Sequence, residues 1–510
     1  MTNYLADTVS VLLKKGAEDA PAIGAPGRPW LTHGGLRALV ERTVVALNGM
    51  GIGRNDRVAL VTPNGPEAAT SFVSIACGAT TAPLNPGYKA DEFDFYLSDL
   101  NAKALVVMAG LETPARHVAT ARGIPIVDLV PNAEGAAGDF TLDGGALTGT
   151  AAHPGTAQAD DVALVLHTSG TTSRPKIVPL RHINVTASAY HIGETLGLTP
   201  TDTCLNIMPL FHIHGLMAAT LSSLAAGASV CCSPGFNAFR FFTWFSEVKP
   251  TWYTAVPTMH QTILELAPRN KAAIADGRLR FIRSSSSSLP GPVMHAMEAA
   301  FSVPVIEAYG MTEASHQMAS NPLPPREHFP GSVGVASGPD IAIMDEEGNL
   351  LPSGGLGEVV IRGRNVTKGY ENNPTANAAA FTNGWFRTGD QGTLDEQGYL
   401  RLTGRLKELI NRGGEKVSPL EVDEILSGHP AVQQCLTFAM PHDKLGEEVA
   451  AAIVLREGQT VKDTELREFC SEKLAAFKVP RKIVFLNEIP KGATGKLQRI
   501  GLAGKLGLSA

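Results

Sequence analysis

Short apolar runs that stop abruptly at small or polar residues recur through roughly the first 330 residues, alternating with longer Ala- and Leu-rich stretches. Runs this short, separated by stretches that suit helices, make strands joined by helical crossovers, so a layered α/β fold is predicted. The run at residues 162–166 halts at His167 and opens into Thr168-Ser169-Gly170-Thr171-Thr172-Ser173-Arg174-Pro175-Lys176. Residues 279–282 and 303–306 behave alike, running into serines at 284–288 and into Glu307-Ala308-Tyr309-Gly310. Ligands of parallel α/β sheets collect at such strand ends, which makes these three loops the first candidates for a site.

From about residue 340 the texture shifts to alternating strands with Gly-rich turns, as in Glu358-Val359-Val360-Ile361-Arg362 and Tyr399-Leu400-Arg401-Leu402-Thr403. After Gly404-Arg405 comes a compact unit of about a hundred residues, an ordinary domain size. Its first helix is marked by Ser418 as N-cap, Pro419 in the first turn and Glu421 three residues after the cap. A chain of 510 residues exceeds one hydrophobic core. The expected organisation is a large N-terminal domain, 1–404, of layered α/β subdomains plus a β-rich subdomain. A small C-terminal α+β domain, 405–510, follows, with the boundary near Lys407.

A net charge of −6 leaves no polybasic surface, which argues against a nucleic-acid partner. The six cysteines show no C-x-x-C spacing and read as reduced core thiols. No run approaches the length of a membrane span, the N-terminal stretch lacks the order of a secretory signal, and Leu508-Ser509-Ala510 is not a peroxisomal address. The cytoplasm is the expected compartment, and no oligomeric state follows from the residues.

The segment from Thr168 to Lys176 sets five hydroxyl residues and one glycine ahead of a lysine. By composition it is either a phosphate cradle, with N–H groups and hydroxyls aimed at a polyphosphate, or an ordinary solvated turn. It departs from a P-loop, because Pro175 and Ile177 replace the second glycine and the magnesium-binding hydroxyl. Tyr309 either offers a flat face for a purine or packs as a core tyrosine. His212 and His214, in Pro209-Leu210-Phe211-His212-Ile213-His214-Gly215, alternate as on one strand and lack the further ligands of a zinc site.

Five strings in order carry a resemblance: Ser169-Gly170-Thr171-Thr172-x-x-Pro175-Lys176, Tyr309-Gly310-Met311-Thr312-Glu313, Trp385-Phe386-Arg387-Thr388-Gly389-Asp390, Gly404-Arg405-Leu406-Lys407-Glu408-Leu409-Ile410, and Pro490-Lys491-x-x-Thr494-Gly495-Lys496. They resemble the signatures of the adenylate-forming superfamily of acyl-CoA synthetases, peptide-synthetase adenylation domains and firefly-type luciferases. The resemblance implies ATP, Mg2+ and coenzyme A as cofactors and a small carboxylate as substrate. It implies phosphate contacts from Thr168, Ser169, Gly170, Thr171, Thr172 and Lys176, and an adenine site at Glu307, Ala308 and Tyr309 beside Thr312. Glu313 is implied for magnesium, Asp390 for the ribose hydroxyls, and Arg405 as a further nucleotide contact. Lys496 is implied as the catalytic lysine of adenylation, carried by a mobile C-terminal domain that turns about Lys407. That rotation brings up Gly413 and Gly414, which line a channel for the pantetheine arm. His212 is implied to gate the path to the carboxylate, with His214 structural.

The acyl pocket is expected between the His212 segment, the serines at 284–288 and Ala314-Ser315-His316-Gln317. Those are polar walls, and a long apolar chain would leave each group unpaired at about 1–3 kcal/mol. The strings Phe281-Ile282-Arg283-Ser284, Met311-Thr312-Glu313-Ala314-Ser315-His316, Asn365-Val366-Thr367-Lys368-Gly369-Tyr370 and Ala475-Ala476-Phe477-Lys478-Val479-Pro480 resemble oxalate–CoA ligases. The expected substrate is therefore oxalate, contacted by His212, Ser286 and His316. Malonate-, coumarate- or fatty-acid-activating ligases, a carrier-protein adenylation enzyme and a nucleotide sensor share the nucleotide motifs. Ile177 stands where the family has glycine, and is expected to strain the phosphate loop if that position needs a positive φ.

Overall fold

The computed structural model of the chain describes residues 6–168, 175–490 and 497–508. The apolar runs are strands covered on both faces: in Arg57–Val61 every side chain after the first is buried, the pattern of a parallel strand between helices. Among the described residues they build two sheets. The first has the order Phe140–Asp143, Ile126–Pro131, Ala104–Met108, Arg57–Val61, Thr80–Pro83, Val162–Thr168 and Lys176–Arg181, parallel at its centre and antiparallel at each end. The second has the order Val335–Ala336, His316–Ser320, Val305–Met311, Phe281–Ser285, Trp252–Ala255, Thr203–Asn206, Ser229–Cys232, Pro21–Gly24 and Leu31–Thr32, again parallel in the middle. The helix Pro66–Ala76 is buried along its whole length, and its Phe72 and Val73 share one core with Leu60 of the first sheet and Val230 of the second.

The alternating stretch forms an antiparallel sheet of Asp340–Met344, Gly357–Arg362, Phe381–Thr382, Trp385–Leu394 and Leu400–Arg405. Residues 406–409 lead into the last sheet, made of Glu415–Val417, Ile410–Arg412, Gly446–Leu455 and Val432–His442, with Lys482–Phe485 added in parallel. Its helices Pro419–Ser427 and Asp463–Ser471 bury Val422, Leu426, Leu466 and Cys470 against Val449 and Ile453. The first of them is capped as its sequence predicts, with Ser418 Oγ accepting the N–H of Glu421 at 3.3 Å. All six cysteines are free. No described helix is long and apolar enough to cross a membrane.

Two of the three predicted loops are partly strand. Phe281–Ser285 extends through two serines because Ser284 and Ser285 pair with Glu307 and Ala308, and Val305–Met311 continues through Tyr309 and Gly310 before turning back as His316–Ser320. The predicted strand through His212 and His214 is not one: the strand Thr203–Asn206 ends earlier, and His214 opens the buried π-helix His214–Leu221. Alternating polarity there reflects a turn followed by a helix, which two residues two apart cannot distinguish from a strand.

The expectation of strain at Ile177 is also overturned. Ile177 lies inside the strand Lys176–Arg181, opposite His167, and is buried in a cluster with Ala82, Phe93 and Val165. A β-branched side chain suits that extended, half-covered position. Its carbonyl accepts the N–H of Glu371 at 3.1 Å. Residues 364–371, outside any strand, thereby cross from one sheet to the other. Asn184 Nδ2 donates to the carbonyls of Arg364 at 2.7 Å and Val366 at 3.1 Å, and Asn365 Nδ2 to those of Ala314 at 2.8 Å and Gln317 at 3.0 Å. Thr367 donates its N–H to Glu313 O at 2.7 Å and its hydroxyl to Pro179 O at 2.9 Å.

Ile177→Gly is expected to lower the stability of the unfolding transition that includes the first sheet by about 2–5 kcal/mol, the range for emptying a buried aliphatic site. Denaturant titration followed by circular dichroism measures it. A gain in stability would instead reveal backbone strain at this position.

Candidate functional site

The two sheets and the antiparallel sheet meet where the motifs converge. Asp390 and Arg405 are register partners on adjacent strands, and Arg405 Nε lies 3.2 Å from Asp390 Oδ1. The hydroxyl of Tyr309 donates to the other carboxylate oxygen, Oδ2, which ties the end of Val305–Met311 to the antiparallel sheet. Burial raises the Asp390 carboxyl above the usual range, opposed by Arg405 and by the Tyr309 hydrogen bond. Glu307 is turned towards the serine segment: its Oε1 accepts the N–H of Leu289 at 2.9 Å, and burial pushes its carboxyl up to about 8. The Ala308 carbonyl accepts from Ser285 Oγ at 2.8 Å.

Beyond Met311 the chain makes a single 3-10 turn, Thr312–Ala314, that presents Glu313. This carboxylate is buried, and burial raises its pKa, while the charges of Arg405 and Lys176 favour its ionised form. Tyr370 joins Glu313 to Lys176. Its hydroxyl donates to Glu313 Oε1 at 2.8 Å, and its ring carries Lys176 Nζ at 4.4 Å from the centroid. Tyr370 closes the string Asn365-Val366-Thr367-Lys368-Gly369-Tyr370, in which the sequence gives it no role of its own. Its only signal was an aromatic residue in a Gly-containing segment, which does not reveal a long-range contact. Lys176 starts its strand opposite Thr168, whereas Ser169, Gly170, Thr171 and Thr172 lie outside the described residues. Lys176, Glu313, Tyr309, Asp390 and Arg405 thus form one neighbourhood of mixed charge, a donor set that suits a metal-bound polyphosphate.

A second cluster lies behind it. The buried His214 puts Nδ1 3.0 Å from Ser286 Oγ and Nε2 2.6 Å from Thr254 Oγ1, and its ring stacks on His316 with centroids 5.0 Å apart. Burial, followed by the charges of His316, Arg283, His212 and His260, holds His214 well below the ordinary imidazole range. His214 therefore contacts the expected substrate residues directly. The half-buried His212 lies beside it in the preceding turn. The expected wall of serines divides: Ser284 and Ser285 are buried in the strand, Ser287 and Ser288 are exposed, and Ser286, at φ 75°, turns to His214. Arg283, another residue to which the sequence gives no role, is wholly buried. It donates from Nη2 to His316 Nε2 at 3.2 Å and to Gln317 Oε1 at 3.2 Å.

Lys407 sits in the exposed turn between Leu400–Arg405 and Ile410–Arg412. Gly413 and Gly414, at φ 60° and 97°, form the two-residue turn of the hairpin that follows, a geometry glycine adopts without steric cost. Lys496 lies outside the described residues. Just after it, Arg499 pairs with Asp423 at 2.7 Å and Glu408 at 3.3 Å, anchoring the chain to the helix Pro419–Ser427 and to the residue after Lys407.

The fold favours the protonated Glu307 carboxyl, so the stability this group lends is full below the ordinary value of 4.5 and is lost as pH rises through about 8. Glu307→Gln carries no such titration. Thermal unfolding from about pH 5 to about pH 9 is expected to show the variant gaining on the parent as pH rises, whereas a constant difference would place the carboxylate in a solvated setting.

The model of the AMP-binding enzyme family matches residues 13–371, and that of the AMP-binding enzyme C-terminal domain matches residues 421–496. An oxalate–CoA ligase of Arabidopsis thaliana is 46% identical over 97% of this chain and 98% of its own, and one of Saccharomyces cerevisiae is 43% identical over 88% and 86%. The crystal structure of ATP-bound MatB from Rhodopseudomonas palustris superposes with a TM-score of 0.87 at 28% identity, covering 98% of each chain. Long matches of this kind, joined to a convergent cluster of the motif residues, show that the chain belongs to the family of AMP-binding enzymes.

Proposed function

We propose that the chain is an AMP-forming acid–thiol ligase that activates oxalate with ATP and transfers the acyl group to coenzyme A. The observation that carries this reading is the small polar cluster of His214, Ser286 and His316 beside the Glu313–Lys176 neighbourhood. It offers polar partners for a second carboxylate. The near-full-length similarity to two oxalate–CoA ligases supports the same substrate.

In the first half-reaction a carboxylate oxygen attacks the α-phosphorus of ATP and pyrophosphate leaves. Two anions must approach, so fixed positive charge carries most of the burden. Lys176 and Arg405 are proposed to face the phosphates, with Thr168, Ser169, Gly170, Thr171 and Thr172 as the cradle. Tyr309 and Thr312, with the Glu307–Ala308 backbone, take the base, and Asp390 takes the ribose. Glu313 is proposed to hold magnesium, which when bound supplies Lewis-acid charge at the phosphoryl oxygens. Tyr370 orients that carboxylate. Lys496 is proposed to reach in from the C-terminal domain, 405–510, which turns at Lys407 to present Gly413 and Gly414 to the pantetheine arm. His212 guards the entry to the carboxylate.

The second half-reaction is attack by the coenzyme A thiol on the adenylate carbonyl, releasing AMP, and it needs no protein nucleophile. The buried cysteines fit that absence of a role: burial pushes Cys77 and Cys231 up to about 12, far from thiolate reactivity. The cytoplasm is the proposed compartment, where free thiols stay reduced.

AMP release assayed with oxalate, malonate, coumarate and octanoate, each with and without coenzyme A, is expected to be oxalate-selective by about a hundredfold or more in kcat/KM and to depend on the thiol. Turnover of octanoate with oxalate inert would overturn the substrate. AMP release indifferent to coenzyme A would favour loading of a carrier protein. Tyr370→Phe keeps the ring under Lys176 but removes the hydroxyl on Glu313. It is expected to raise the magnesium concentration for half-maximal rate by about tenfold or more, as loss of a ligand's hydrogen-bonding partner does, and an unchanged requirement would refute the role given to Tyr370.

A further inference from the structure

Thr254, His214 and Ser286 form a hydrogen-bonded chain in which only one arrangement of protons leaves no buried donor unpaired. Thr254 stands on the strand Trp252–Ala255 and His214 opens the helix His214–Leu221, and both are buried. His214 Nε2 lies 2.6 Å from Thr254 Oγ1, and Nδ1 lies 3.0 Å from Ser286 Oγ. Both ring nitrogens are therefore engaged. On the far side of the threonine, the wholly buried Arg283 donates from Nη1 to Thr254 Oγ1 at 3.4 Å. Ser286 differs from the other members: it is half-buried, and its backbone is held at φ 75°, a left-handed conformation that side-chain-bearing residues rarely adopt.

Each hydroxyl has one proton to give, and so has a neutral imidazole. Among the described residues the Thr254 hydroxyl has a single acceptor within reach, His214 Nε2, because the guanidinium on its other side only donates. With the ring proton on Nδ1, Thr254 donates to Nε2 and Nδ1–H donates to Ser286 Oγ, so every buried donor is used. With the ring proton on Nε2, the Thr254 proton is left unpaired away from water, which is costly. The ring itself is neutral, since burial and the surrounding charges oppose a second proton. In the favoured arrangement Ser286 Oγ receives a proton from the ring, and its own proton has no acceptor among the described residues.

We propose that Thr254 and His214 are positioning residues for Ser286: the threonine hydroxyl sets the imidazole proton on Nδ1, the ring gives that hydrogen bond to Ser286 Oγ, and the serine proton is thereby left to donate to the second carboxylate of a short dicarboxylate. The inference rests on the oxalate reading and deepens it. Without Thr254 the serine could spend its proton on Nδ1 and present only lone pairs, which a carboxylate, an acceptor only, cannot use. No proton is transferred along the chain. It orients one donor and polarises it, each hydrogen bond strengthening the next.

Two measurements test it. Long-range proton–nitrogen spectra of 15N-histidine-labelled enzyme, with His214 identified by difference against His214→Gln, are expected to show the Nδ1–H tautomer in the ligand-free parent. A ring protonated on Nε2, or on both nitrogens at neutral pH, would overturn the proposal, and this readout needs no turnover. Thr254→Val keeps the shape of the side chain and removes the hydroxyl, so the ring is expected to become a mixture of tautomers. The KM for oxalate is expected to rise about tenfold or more with a much smaller change in kcat and in the KM for ATP, and Thr254→Ser to restore it. Because Thr254 acts through Ser286, adding Thr254→Val to Ser286→Ala is expected to move the KM by less than about twofold beyond Ser286→Ala alone. An unchanged KM in a folded Thr254→Val, or a loss that adds in full to that of Ser286→Ala, would likewise overturn the proposal. A parent enzyme inert to oxalate would instead sink the substrate reading, with the tautomer spectra still deciding how the protons of the chain are arranged.

Discussion

The site depends on backbone hydrogen bonding by a segment that belongs to no sheet. Residues 364–371 take hydrogen bonds from Asn184, give them to Glu313 and Ile177, and are held by Asn365 to Ala314 and Gln317. The turn bearing Glu313 and the strand bearing Lys176 come from different sheets and are far apart in the chain. Side chains alone would place them loosely, since long cationic side chains carry substantial rotamer entropy. The segment fixes their backbones to each other, and Tyr370 at its end then fixes the side chains.

The chemistry at this junction is held at an electrostatic cost. Burial disfavours charge on Asp390, Glu307 and Glu313, and each is offset by a different device: Arg405 and Tyr309 for the first, a backbone N–H for the second, and Tyr370 with two cations for the third. Such groups are poor contributors to stability but good instruments, because donors and charges already fixed in a dry site need no reorganisation when a reaction begins.

Local patterns carried the fold well. The strand Val162–Thr168, the antiparallel sheet after residue 340 and the cap at Ser418 were all legible, since each depends on neighbours within a few residues. Positions decided by distant partners were misread. Ser284 and Ser285 looked like loop because they are polar, yet they pair with Glu307 and Ala308 in mid-sheet. Ile177 looked misplaced against a family pattern until its cluster with Phe93 and Val165 was visible. Tyr370 and Arg283 have no role legible in the sequence, and His214 only a structural one, for the same reason: what each one touches lies dozens of residues or more away.

The left-handed backbone at His316 makes substitution there unequal in its two directions. Substitution by glycine at that point relaxes the main chain and deletes the imidazole in one step, so loss of the side chain runs downhill in conformational energy. The return route is uphill: a newly acquired side chain must tolerate φ 97° and find the adjoining Gly310 already bare. A histidine at this position is accordingly easier to lose than to acquire.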